Sequence, residues 1–275
     1  MESLQPPSSV PVQAATRAGG TNNQDRYVHG DGFAAVLDGA TSVAGDRSHD
    51  PGWYADRLAR EIGARMPRGG ALADTVADAV RAVRDAHRLD PDTSPTSTVA
   101  LARWSGDTVE TYLLGDSFVV VLRADGDETV HTDDRLDAVG AAERAAYRAR
   151  LAAGGEYDVG HRDLLLALQA EQACRRNRPG GYWIAGAEPE AAHHGITTTG
   201  ERSGVSALVL ASDGVAPERH PEAVTWRALS GAAYRRGPAQ VLRELHDAEA
   251  ADADGRRWPR SKRHDDKTLV IAGLE

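Results

Sequence analysis

The sequence predicts an α+β fold in which two antiparallel β-sheets stack face to face with helices outside them. Two pairs of helical stripes, one after an early apolar strand and one before the last strand, supply the outer cover. A run of short strands at hairpin spacing between those pairs supplies the sheets. The segment Val205–Ala211 is apolar on both faces and needs a packed layer on either side.

The elements follow in order. Residues 1–13 hold Pro6, Pro7 and Pro11 with two serines, which reads as a flexible leader before a single domain over 14–275. Phe33–Leu37 is short, apolar and halted by Asp38-Gly39, the pattern of a buried strand that ends in a turn. Tyr54, Leu58, Ile62 and Met66 recur every four residues, and Leu72, Val76, Val80, Val83 and His87 form a second helical stripe. Strands are expected over 98–103, 109–114, 118–123 and 129–132, linked by Ser105-Gly106-Asp107 and Asp125-Gly126-Asp127, as an antiparallel meander. Residues 141–190 begin as helix, with Leu164, Leu168 and Gln172 on one side, and break at Arg178-Pro179-Gly180-Gly181, so they read as a flap insertion. Strands return at 182–185, 196–199 and 205–211, helices at 222–234 and 238–251, and a final strand at 269–272.

Composition narrows the function. A chain of 275 residues with 41% hydrophobic content can bury the core of one large domain. It has no apolar run of about 18 residues and no basic-then-apolar start, so a cytoplasmic protein without a membrane partner is expected. The net charge of −9 argues against nucleic acid as a partner. The single cysteine, Cys174, cannot form an internal disulfide and is expected to be a small buried hydrophobe in its helix. Neither G-x-x-x-x-G-K-[ST] nor a G-x-G-x-x-G after a strand occurs, which disfavours a nucleotide-binding enzyme.

The chemistry lies in the aspartates. Asp25, Asp38, Asp116, Asp213 and Asp265 each stand where a predicted strand meets a turn, poor positions for a core and good ones for a shared cation site. Clustered carboxylates raise one another's pKa and require cations to stay charged. Their hard oxygens suit Mg²⁺ or Mn²⁺, whereas zinc recruits His or Cys, and no CxxC or HExxH is present. His193-His194 would diverge in a strand and reads as surface. Two such ions, roughly 3.5–4 Å apart, can activate a water for in-line attack on phosphorus, so phosphoester hydrolysis follows.

The motifs Asn-Gln-Asp-Arg at 23–26, Phe-Ala-Ala-Val-Leu-Asp-Gly at 33–39, Leu-Gly-Asp-Ser at 114–117, Leu-Ala-Ser-Asp-Gly at 210–214 and Asp-Asp-Lys-Thr-Leu-Val at 265–270 come in one order over about residues 15–273. In that order they resemble the metal-dependent type 2C serine/threonine protein phosphatases in their compact bacterial form. The resemblance implies a four-layer helix-sheet-sheet-helix sandwich and hydrolysis of phosphoserine or phosphothreonine on proteins. It also implies two Mn²⁺ or Mg²⁺ ions, with a third held weakly, and substrates made by a bacterial serine/threonine kinase. On this resemblance Asp38 bridges both metals with the Gly39 carbonyl on one of them, and Asp213 and Asp265 hold the first metal. Asp25 matches the acidic residue of the first motif and Asp116 the third-metal aspartate. Asp38 and Asp213 would then act catalytically through the metal-bound water.

Several positions depart from the family pattern. The arginine that grips the substrate phosphate would fall near Gly19-Gly20, so Arg17, or next Arg26, is the candidate phosphate contact. Gln24 stands where many members have Glu, Ala40 where many eukaryotic members have His, and Pro217-Glu218 where another aspartate is common. The same departures leave open a second reading, a catalytically weak relative that binds a phosphoprotein in a regulatory role. The basic stretch 256–263 runs into Asp265 and could steer an acidic partner, as could Arg175-Arg176-Asn177-Arg178, while Trp183 is expected to pack within the flap.

Overall fold

The computed structural model describes residues 10–40, 49–222 and 224–274; the leader expected over residues 1–9 lies outside the described residues. Its early part holds strands β1 (Val12–Arg17), β2 (Arg26–Gly30) and β3 (Phe33–Leu37), then helices α1 (Pro51–Arg65) and α2 (Leu72–His87). Next come β4 (Val99–Ser105), β5 (Thr108–Leu114), β6 (Phe118–Arg123) and β7 (Glu128–His131), and helices α3 (Arg135–Ala138), α4 (Ala141–Ala152) and α5 (Val159–Arg175). Strands β8 (Ile196–Glu201) and β9 (Val205–Ala211), helices α6 (Trp226–Arg236) and α7 (Pro238–Ala251), and strand β10 (Lys267–Gly273) complete it.

Among the described residues the strands form two five-stranded antiparallel sheets, ordered β1-β10-β9-β6-β7 and β2-β3-β4-β5-β8. Period-two alternation sends each central strand's side chains both ways. Leu208, Leu210 and Val270 meet Ala34, Val36, Ala100 and Leu113 between the sheets. Val209, Ala211, Leu269 and Ile271 face outward to Leu229, Ala233, Val241, Leu242 and Leu245 of α6 and α7. On the other side, Ala35, Leu37, Leu101, Tyr112 and Leu114 face the Tyr54, Leu58, Ile62 and Val76, Val80, Val83 stripes of α1 and α2. Each fully buried leucine contributes roughly 2 kcal/mol, so three apolar layers hold the four-layer sandwich closed. The sequence-predicted fold class is therefore the observed one.

Helix α1 starts where it does because the Asp50 carboxylate accepts the amides of Gly52 and Trp53 and Pro51 fills the first turn. Helix α6 starts four residues later than its stripe predicts, at Trp226, because the Thr225 hydroxyl caps the amide of Ala228.

The structure corrects several expectations. The four strands over 98–132 are not one meander: β4 and β5 belong to one sheet, β6 and β7 to the other. The crossing is made at Gly115, whose φ of +89° suits glycine, and β8 takes the edge of β5 that β6 would have used. Segment 182–185 contributes bridges from Tyr182 to Arg176 and from Ala185 to Ser97 rather than a strand. Val12 and Gln13, read as leader, are the first residues of β1 and pair with Ala272 and Ile271. Strands β1 and β2 lack an apolar run because each is an edge strand with partly exposed residues. Cys174 is exposed, not buried.

Candidate metal centre

Asp38 follows the fully buried β3, and Thr98 grips it twice. The Thr98 Oγ1 accepts the Asp38 amide at 3.1 Å, and the Thr98 amide donates to the Asp38 carbonyl at 2.9 Å. The Thr98 and Ser117 hydroxyls are 2.6 Å apart, which ties Asp38 to the sheet-crossing loop of Asp116. A Cβ on Gly39 would lie 2.9 Å from the Gln24 carbonyl oxygen and from the Pro51 carbonyl carbon, so glycine alone lets these three segments meet.

Asp25 is buried beside this strand end. Its Oδ2 accepts the Ser212 hydroxyl at 2.6 Å, and the same Ser212 oxygen accepts the Thr268 amide at 2.9 Å. Ser212 precedes Asp213 at the end of β9, so one serine links three of the sequence motifs. Asp266 completes the link: its two carboxylate oxygens accept the amides of Gly19 and Gln24, each at 2.7 Å. Asp265 Oδ1 accepts the Lys262 ammonium at 2.7 Å.

These carboxyls act on one another electrostatically. Burial pushes Asp25 up to about 7, offset in part by the Ser212 hydroxyl and reinforced by Asp266. Burial and then Asp213 push Asp116 up to about 7. Asp38 is held well above the carboxylate range by burial, then by Asp25, Asp213 and Asp265. Asp213 is raised by burial of its carboxyl and then by Asp265, although the residue as a whole is exposed. The Asp38 side chain acts in the opposite direction and lowers it.

These residues fit a divalent cation. The donors are hard carboxylate oxygens that repel one another, and Asp25 Oδ1 is buried without a hydrogen-bond partner. Asp38, Asp213 and Asp265 would hold one ion, and Asp25, the Gly39 carbonyl and Asp116 would be the further oxygen donors. A second group lies on the outer side of the same sheet, where ligand atoms of His246, Glu249 and His264 sit within 4.8 Å of one another. It is an ion-pair network instead. The two imidazoles stack at 4.0 Å with an interplanar angle of 16°, so their in-plane lone pairs do not converge. Glu249 already accepts Lys267 at 2.7 Å and Arg219 at 3.0 Å.

The structure does not bring Arg17 to the cleft. In the β1–β10 register Thr16 pairs with Thr268 and Arg17 with Lys267. Thr16 and Thr268 bond each other, and Thr268 also reaches Asp25; Lys267 turns outward to Glu249 of α7. Arg17 shares that outward face, where its charge lowers the His246 pKa. Arg26 folds onto the carbonyls of Asn23 at 2.8 Å and Asp25 at 2.6 Å, so it braces the loop. His193 is exposed near Asp74, and His194 stacks on Trp183 at 3.4 Å. Of the basic stretch, Arg260 is buried and binds the backbone rather than solvent.

Sequence reasoning missed Thr98, Ser212 and Asp266 as positioning residues. Asp266 and Ser212 stand next to two aspartates that it did find, but hydroxyl and carboxylate contacts across more than 180 positions carry no local signal.

The described helices include none long and apolar enough to cross a membrane. A search of the curated proteins returns no significant match. The fold resembles the catalytic domain of the serine/threonine protein phosphatase PstP, whose crystal structure holds two manganese ions (17% identity, TM-score 0.54, 96% of this chain and 98% of that one). It also resembles the phosphatase MsPP from Mycobacterium smegmatis, in complex with cacodylate (19% identity, TM-score 0.56, 98% and 100%). The phosphatase Stp1 from Staphylococcus aureus is similar as well (12% identity, TM-score 0.58, 98% and 96%). At these identities the likeness carries the fold, while the family model described as Protein phosphatase 2C matches residues 12–252, and with it the chain belongs to the protein phosphatase 2C family.

Proposed function

We propose that this protein phosphatase hydrolyses phosphoserine and phosphothreonine on proteins at the Asp38 cleft, with Asp25, Asp38, Gly39, Asp116, Asp213 and Asp265 as the cation site. One observation carries the residue assignment: hydrogen bonds gather the five motifs at one locus, from the Gly39 amide to the Gln24 carbonyl at 3.3 Å, from Ser212 to Asp25 at 2.6 Å, from the Gln24 amide to Asp266 at 2.7 Å, and from Asp38 through Thr98 to Ser117 at 3.1 and 2.6 Å.

Bound Mn²⁺ or Mg²⁺, two ions with a third held weakly near Asp116, would supply Lewis acidity and a nucleophilic water at neutral pH. The chain's own residues do the rest. Thr98 fixes Asp38 from both backbone sides, and Ser212 fixes Asp25, so the carboxylates are held in place before substrate arrives. Asp213 is exposed, which suits access by a phosphorylated side chain on a protein surface. A bacterial serine/threonine kinase is the proposed source of that substrate. Ala40, next to Gly39, carries no proton donor of its own.

A second reading, a weakly catalytic module that binds a phosphoprotein, is favoured by one observation: Arg17 faces α7 and Gly20 has no side chain to grip phosphate. Hydrolysis of a phosphothreonine peptide with Mn²⁺, with Mg²⁺ and with chelator separates the two. Phosphate release that needs metal and is lost in Asp38→Ala supports the enzyme; peptide binding without release supports the module.

A further inference from the structure

We propose that Lys262 is a tethered competitor for the first cation of this centre, an ammonium built into the chain at the place a divalent ion must take. The inference rests on the cation site proposed above and deepens it.

Three observations carry it. The Lys262 Nζ lies 2.7 Å from Asp265 Oδ1, and with the Asp266 amide at 3.0 Å it uses both lone-pair directions of that oxygen. Its charge also acts on Asp38 and Asp213, so its field bears on three carboxylates rather than one. Finally, the loop that delivers it is held firmly. The guanidinium of buried Arg260 binds the carbonyls of Glu249, Asp252, Trp258 and Arg263 at 2.8–3.0 Å, and His161 of helix α5 meets the Ser261 carbonyl at 2.8 Å.

An ammonium and a divalent cation cannot share this position. Both need the negative field of Asp38, Asp213 and Asp265, and at close range two positive charges repel strongly. Lysine has a flexible stem and its side chain here is 39% exposed, so it can swing to solvent when an ion enters. Lys262 thereby keeps the carboxylates paired without metal and raises the metal concentration needed to load the centre.

The test is calorimetric titration of Mn²⁺ into the chelator-stripped full chain at low ionic strength, with thermal melts of the metal-free and loaded forms. Lys262→Met and Lys262→Gln should bind Mn²⁺ about tenfold more tightly than the parent, given the loss of one nearby positive charge. Lys262→Arg should stay near the parent value, and Arg257→Met, which removes an exposed charge from the same loop, should change nothing. The metal-free Lys262→Met protein should melt below the parent while the loaded forms melt together. Equal or weaker Mn²⁺ binding by both neutral variants overturns the proposal while leaving the cation site intact. Absence of Mn²⁺ binding by the parent and by every variant overturns the cation site and this inference together.

Discussion

Asp266 holds the backbone amides of Gly19 and Gln24 with one carboxylate oxygen each, at 2.7 Å, across more than 240 positions of chain. The contact closes the loop that carries Asp25 onto the start of β10. Asp266→Ala would leave two part-buried donors unpaired, at a cost of about 2 kcal/mol. Chemical denaturation should show that loss, and Mn²⁺ binding should weaken with it; Asp266→Asn, which keeps one acceptor, should fall between.

Ser212 donates to Asp25 and accepts from the Thr268 amide. In Ser212→Ala the buried Asp25 carboxylate loses its charge-assisted bond, so a stability loss of about 2 kcal/mol at pH 8 is expected. The loss should shrink at pH 6, where the Asp25 carboxyl is largely protonated. A loss of the same size at both pH values would remove Asp25 from the account.

The pH dependence has a defined sign. Asp25 and Asp116 sit at about 7 in the fold against 3.8 as ordinary carboxyls, so the folded state binds their protons more tightly. That contribution to stability is complete below 3.8 and is lost as pH rises through about 7. Chelator-treated protein should therefore melt higher at pH 6 than at pH 8, and Asp25→Asn should flatten the slope. Metal binding must expel the same protons, so Mn²⁺ affinity should rise over this interval.

Arg17 lies on the α7 side of its sheet, with Lys267 as its register partner. Arg17→Ala should leave the KM for a phosphothreonine peptide within about twofold and act instead on folding, because a side chain away from the cleft removes no uniform substrate binding. A large rise in KM at unchanged stability would return Arg17 to the phosphate.

The parts legible in the sequence were those with a local cause. Apolar runs stopped by Asp-Gly placed β3 and β9 and their aspartates, because a buried strand must end where a charge begins. Helical stripes placed α1 and α2. Edge strands β1 and β2 escaped, since half-exposed residues such as Gln13, Thr16 and His29 leave no apolar run to read. The crossing at Gly115 also escaped, because two hairpin-spaced strands look alike whether they pair or part.

By itself the sequence determined the candidate cation ligands: five aspartates, of which Asp38, Asp116 and Asp213 follow, and Asp265 precedes, strands that local hydrophobic pattern marks. Only the tertiary structure decided how they are held and what opposes them. The grip of Thr98 on Asp38, the bond from Ser212 to Asp25, the outward turn of Arg17 and the Lys262 ammonium on Asp265 follow from sheet register and from loops packed across the sandwich. Register is set by the summed burial of three apolar layers, a property of the whole chain that no short window contains.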